Sequence, residues 1–291
     1  MACADLGAAI SDFQSQGYRL DVIFPADEPY WATLSRDGDS VQLTSRPGAP
    51  RPTNVLPPFE PEFLITQGGS SGAGRAGMSY RDLIPGRLGG RYIGSHITMP
   101  AGPVADWVHF HHVRIQLIAV RRGWVRVVYE DQGEPFVMEA GDLVLQPSGI
   151  RHRVLESSSG LEVVEIGCPA LHETLADHEL RLPNGFGDPA RLFNGQRFLH
   201  HVATAGGSIE LAEATGGLAD ARLVRTATDV PPHDGELVFG FVMEGTAELG
   251  FEGIHPLGAT DAFVIPPEKP WRVAGTSGDF QLLHVTTARL H

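Results

Sequence analysis

The chain carries an internal repeat. His111 and His233 stand 122 positions apart, as do Gly123 and Gly245. Asp142 and Asp261, Pro147 and Pro266, and Val154 and Val273 are each 119 apart, so the second copy is three residues shorter between the two groups. Within the first copy, short β-rich runs at 96–99, 107–112, 115–120, 125–129, 136–138, 143–146, 152–155 and 161–166 are cut by Gly, Pro, Ser or Asp at steady intervals. That rhythm belongs to sandwiches and barrels of short strands. With 35 Gly and 22 Pro in 291 residues, turns are frequent and long helices are disfavoured. Two copies of such a pattern predict two similar all-β units in tandem.

The first copy also concentrates metal-binding side chains. His109 and His111 lie two residues apart in a β-rich run, so their imidazoles share one strand face. His152 follows the turn Pro147-Ser148-Gly149 and can return to the same point from a neighbouring strand. Three converging imidazoles suit a divalent transition metal. Gly102, His109, His111, Gln116 and Gly123, followed by Gly141, Pro147, Gly149 and His152, resemble the two linked motifs of the cupin family. Gln116 stands where that family usually has Glu.

The resemblance implies an all-β fold of two tandem cupin jelly-roll barrels. It also implies a divalent metal (Zn, Ni, Fe, Mn or Co) held by His109, His111, Gln116 and His152. In the second copy Pro231, Val238 and Trp271 replace His109, Gln116 and His152, and only His233 remains. One imidazole does not hold a metal, so this copy reads as structural; the alternative is an organic-ligand pocket lined by Phe241, Phe263 and Trp271.

Strand parity adds detail. Gln116 has the opposite parity to His111, so the strand must bulge or turn between His112 and Ile115 for Gln116 to face inward. Arg114 then shares Gln116's parity, reaches the pocket and grips an anionic substrate in a bidentate way as a candidate catalytic residue. His112 points away and is not a ligand. Glu156, Tyr129 and Glu165 lie on candidate strands as acid or base, and their spacing does not choose among them. An amide in place of a carboxylate leaves the metal its full charge. That favours Lewis-acid chemistry of the isomerase or lyase type, through an enolate, on a small oxygenated, anionic metabolite. The alternatives are a non-heme metal dioxygenase and a non-catalytic small-molecule-binding cupin.

Residues 1–47 read as a small αβ segment, with helical spacing over 4–16 and strands at 19–24, 30–34 and 41–44. A hairpin turn is expected at Arg36-Asp37-Gly38-Asp39. This segment is similar to half of a glyoxalase-type module, brings no ligand set, and reads as a packing arm. A Pro/Gly-rich linker is expected at 48–77, the metal-binding cupin at 78–168, a link with a short helix at 169–195, and the degenerate cupin at 196–291.

Composition narrows the partners. Net charge is −13 and no Lys/Arg cluster is present, so nucleic acid is not an expected partner. No apolar window reaches the roughly 18 residues of a membrane span. Two cysteines, Cys3 and Cys168, make neither a disulfide framework nor a zinc-thiolate set. Without a signal-peptide pattern at 1–10, the expected compartment is the reducing cytoplasm. The expected partners are a small-molecule substrate and, in a homodimer, a second copy of the chain.

Overall fold

A computed structural model describes residues 1–53, 55–69, 71–73, 77–188 and 190–290. The expected loops at 48–77 therefore fall partly outside the described residues.

Each copy closes as two facing antiparallel sheets. In the first roll, one sheet runs Phe136–Glu139, Trp124–Tyr129, His152–Ser157, His109–Phe110, Thr174–Ala176. The facing sheet centres on Ile115–Arg122, flanked by Leu143–Leu145 and Leu161–Cys168, and continues through Ile93–Met99 to Ser79–Asp82. The second roll repeats this plan. Val238–Glu244 lies between Gln281–Thr287 and Ala262–Val264, opposite a sheet of Thr228–Val230, Trp271–Ala274, Ala247–Gly250 and Ile254–Leu257.

The N-terminal segment joins the first roll edge to edge. The helix Leu6–Ser15 starts at Asp5, whose carboxylate accepts the Ala8 N–H at 2.9 Å. Its buried Leu6 and Ile10 pack on Leu20, Ile23, Leu34 and Leu43. Asp37 and Gly38 both take positive φ, as the expected hairpin turn requires. The strand Arg19–Phe24 then pairs with Thr174–Ala176, whose other edge pairs with His109–Phe110. This arm lies one strand from the histidines.

Two strands cross between the halves. Leu64–Thr66, inside the stretch read as linker, pairs with Ala262–Val264 of the second roll. Leu199–His201, inside the stretch read as the second cupin, pairs with Leu143–Leu145 of the first. One apolar core is shared by both rolls: Leu117, Leu145 and Val164 belong to the same cluster as Phe239, Phe241 and Val285. Beside it, Arg91 donates to both oxygens of Glu236, at 3.0 and 2.7 Å, and the Tyr92 hydroxyl donates to the same carboxylate at 2.9 Å.

The short helix expected in 169–195 is not found among the described residues, where Thr174–Ala176 is a strand. Its backbone is captured on both edges, and that tertiary pairing overrides a weak local helical pattern.

Candidate metal centre

The chain changes sheets between Phe110 and Ile115. His109–Phe110 belongs to one sheet and Ile115–Arg122 to the facing one, so Gln116 looks back across the barrel toward the histidines. His152 sits opposite His109 in the ladder. The turn before it is pinned to the same place, because the Gly149 N–H donates to the His111 carbonyl at 2.9 Å. Gly149 holds φ at 84°, a conformation that a side chain would strain.

His109, His111 and His152 are all buried, and their ligand-capable nitrogens lie within 4.8 Å of one another. The ring centroids are 4.2 to 5.4 Å apart. Each Nδ1 is tied to a backbone carbonyl: His109 to Trp107 at 2.7 Å, His111 to Glu173 at 2.8 Å and His152 to Ile150 at 3.1 Å. A carbonyl only accepts, so each Nδ1 is the donor, and in the neutral ring the lone pair is then at Nε2. This is the neutral tautomer that binds metal, with its ring already oriented. The residues present therefore fit a divalent ion.

Gln116 is 3% exposed, and its Nε2 donates to Glu165 Oε1 at 2.7 Å. A carboxylate oxygen takes that amide nitrogen, which leaves the amide oxygen for the cavity. The cavity has a volume of about 90 Å³ and is lined by Gln116, His111, His152 and Glu165. Its far wall is apolar, with Met78, Met99 and Met138.

The acid–base candidates separate here. Glu165 and Tyr129 line the cavity, and Glu156 does not. The ladder between Trp124–Tyr129 and His152–Ser157 slips between Arg126 and Val127, so Glu156 loses the phase it would share with His152 on a regular strand. Tyr129 accepts the Gln146 amide at 2.9 Å, and burial pushes its phenol pKa up, so it stays protonated.

Arg114 departs from its expected place. It is exposed and lines a neighbouring surface cleft with His112 and Glu173 rather than the cavity. The crossing between sheets breaks the period-two count on which its inward placement rested. Gln146, His172, Ala26 and Asp27 also line the cavity, and sequence spacing did not single them out.

In the second roll three of the four matching positions carry other residues, Pro231, Val238 and Trp271, and the histidine that remains is held differently. His233 Nε2 bonds the Thr287 carbonyl at 2.9 Å, so its imidazole is turned to the backbone. Among the described residues, the three-histidine group of the first roll is the cluster able to hold a metal.

Residues 95–167 match the family Cupin_2, the cupin domain. No curated protein sequence matches the chain. Solved structures share the fold at low identity. The protein Ylba from E. coli, of the family DUF861, has a TM-score of 0.56 at 10% identity over 82% of this chain and 96% of that one. The salicylate 1,2-dioxygenase of Pseudoaminobacter salicylatoxidans, in complex with gentisate, has a TM-score of 0.53 at 16% identity over 81% and 84%. A variant of the Bacillus subtilis oxalate decarboxylase OxdC has a TM-score of 0.51 at 13% identity over 74% and 73%. Residues 95–167 are thus matched as a cupin domain, and the chain shares the fold of these structures. That fold is two jelly rolls in tandem with a small αβ arm ahead of them.

Proposed function

We propose that the first roll is a metal-dependent enzyme acting on a small oxygenated, anionic metabolite by isomerase- or lyase-type chemistry. The observation that carries this reading is the trio of buried imidazoles, each with its Nδ1 proton committed to a backbone carbonyl. Their Nε2 atoms and the Gln116 amide oxygen form the ligand set for Zn, Ni, Fe, Mn or Co. When bound, such an ion supplies Lewis acidity, polarising a carbonyl and stabilising negative charge on oxygen.

The chain's own residues do the rest. Gln116 is neutral, so it offsets none of the ion's charge, and Glu165 keeps its amide oriented. Glu165 also stands in the cavity as a carboxylate able to take up and return a proton. Met78, Met99 and Met138 make part of its wall apolar. A volume near 90 Å³ suits a small-molecule substrate. Arg114 acts from outside, as a cation in the cleft that shares His172 with the cavity.

The test starts with elemental analysis of the purified protein. Turnover of keto acids, uronates and catechols is then measured with and without oxygen. Turnover independent of oxygen is expected. Gln116→Glu should keep the metal and lower that turnover, because it adds a negative charge to the ligand set. Substrate-dependent oxygen uptake by the iron-loaded protein would overturn the reading in favour of a dioxygenase. Binding without turnover across the panel would leave a non-catalytic binding cupin.

A further inference from the structure

The N-terminal arm enters the first roll's cavity. Ala26 and Asp27 line it beside His111, Gln116, Glu165 and His172. The arm is fastened at two points: the Ala26 N–H donates to the His172 carbonyl at 3.0 Å, and Arg87 Nη2 donates to Asp27 Oδ2 at 2.6 Å. Asp27 is 8% exposed, and its other oxygen, Oδ1, is buried with no hydrogen bond. A carboxylate paired with a guanidinium acts as an acceptor only.

His172 presents the same chemistry from another direction. It is 4% exposed, and its ring centroid lies 5.2 Å from that of His111. Its Nδ1 bonds the Pro169 carbonyl at 3.1 Å, so the proton is there and Nε2 is an acceptor. That Nε2 is also buried with no hydrogen bond. Folded proteins leave few buried polar atoms unsatisfied, and each one calls for an explanation. Here two orphaned acceptors belong to residues lining one cavity, next to a histidine of the metal group.

We propose that Asp27 and His172 determine substrate specificity by accepting hydrogen bonds from a hydroxyl or ammonium group of the substrate. An ion held by His109, His111 and His152 would take the substrate's carboxylate or carbonyl oxygen, so the class is a small acid carrying a donor on the adjacent carbon, a 2-hydroxy or 2-amino acid. This rests on the metal reading given above. It also assigns the arm a task beyond packing, because the first roll alone lacks one of the two acceptors.

Acetate, glycolate and glycine share one carbon skeleton and differ only in that donor. Each is titrated calorimetrically into the manganese-loaded full-length protein, with metal content measured on the same samples. Glycolate or glycine should bind about tenfold or more tighter than acetate, as expected for a hydrogen bond to a charged acceptor. Which of the two gains tells hydroxyl from ammonium. In Asp27→Asn, Arg87 can only donate and so holds the amide oxygen, which turns the NH₂ into the cavity. An acceptor becomes a donor, and the preference over acetate should fall toward one while the metal stays bound. His172→Phe removes the second acceptor independently and should lower the preference even where Asp27→Asn fails to fold. Equal affinities for all three probes in metal-bound wild type, or a full preference retained in both variants, would overturn the proposal. A wild type that binds no metal overturns the underlying reading instead, and elemental analysis tells the two failures apart.

Discussion

In the first roll Gly123, and in the second Gly245, take the same left-handed turn, at φ 74° and 76°. Behind each, a serine hydroxyl accepts the next backbone N–H at 2.9 Å: Ser158 from Trp124, and Ser277 from Thr246. The shells match and the interiors do not. Where the first roll has Gln116, Ile118 and Glu165, the second has Val238, Gly240 and His284 in the same ladder register, and Trp271 stands at the sequence position of His152. Gly240 makes room for the ring of Phe263; a Cβ there would lie 2.2 Å from that ring's Cζ. Trp271 packs edge-on against Phe263 at 5.2 Å and against His284 at 5.1 Å. The second roll thus sets the rings of Trp271 and Phe263 where the first has His152 and its neighbours, and its own pocket at these positions is lined by Val238, Trp271, Arg222, His233 and His284. Aromatic packing takes the place of lost ligand side chains there, and the polar groups that stay buried are held by hydrogen bonds, His284 from Arg222 and His233 to the Thr287 carbonyl.

The sharpest way to break this comparison is through the metal. Replacing His109 and His111 together with Ala should abolish metal content by elemental analysis, and His233→Ala should leave it intact. The opposite outcome would reverse the roles of the two rolls.

Next in size is the dependence of one roll on the other. Deleting residues 196–291 removes the second roll's share of the common core together with the strand Leu199–His201. The remaining fragment should be insoluble, and a soluble, metal-loaded fragment would separate the rolls. Glu236→Ala should cost roughly 3–5 kcal/mol, because it strands the buried Arg91 guanidinium. Denaturant unfolding should stay a single transition in that variant; two transitions would show rolls that unfold independently.

A smaller effect tests the packing of the second roll alone. Gly240→Ala forces Phe263 out of its place and should cost about 1–3 kcal/mol in urea unfolding, without loss of metal. An unchanged midpoint would mean that the interior is looser than its contacts suggest.

The effect that is smallest at neutral pH concerns His284, which occupies the ladder position of Glu165. Burial first, then the charges of Arg222 and His233, lower its pKa from 6.5 to about 3. Between those values the unfolded chain binds a proton that the folded chain refuses. Stability should therefore fall as pH drops through that window, and this group adds no slope above it. Thermal unfolding of His284→Phe should show a flatter acid slope than wild type. Equal slopes would assign the acid sensitivity to other groups.

The sequence by itself determined the repeat, the all-β class and the three imidazoles, because each depends on spacing within a strand or across one short turn. Such signals survive any arrangement of the distant chain. The rest depended on which strands become neighbours. Gln116 is oriented by Glu165, 49 residues away. His111 is held by the carbonyl of Glu173, in a stretch that reads as a link. Arg114 faces outward because the chain changes sheets just before it, and Glu156 leaves the expected face at a slip in the ladder; counting by twos cannot follow the chain through either event. Asp27 reaches the cavity only because its arm joins the sheet through Thr174–Ala176. Hydrogen-bond partners far apart in sequence leave no local pattern, so tertiary structure alone decided what orients His111 and Gln116 and which other side chains share their cavity.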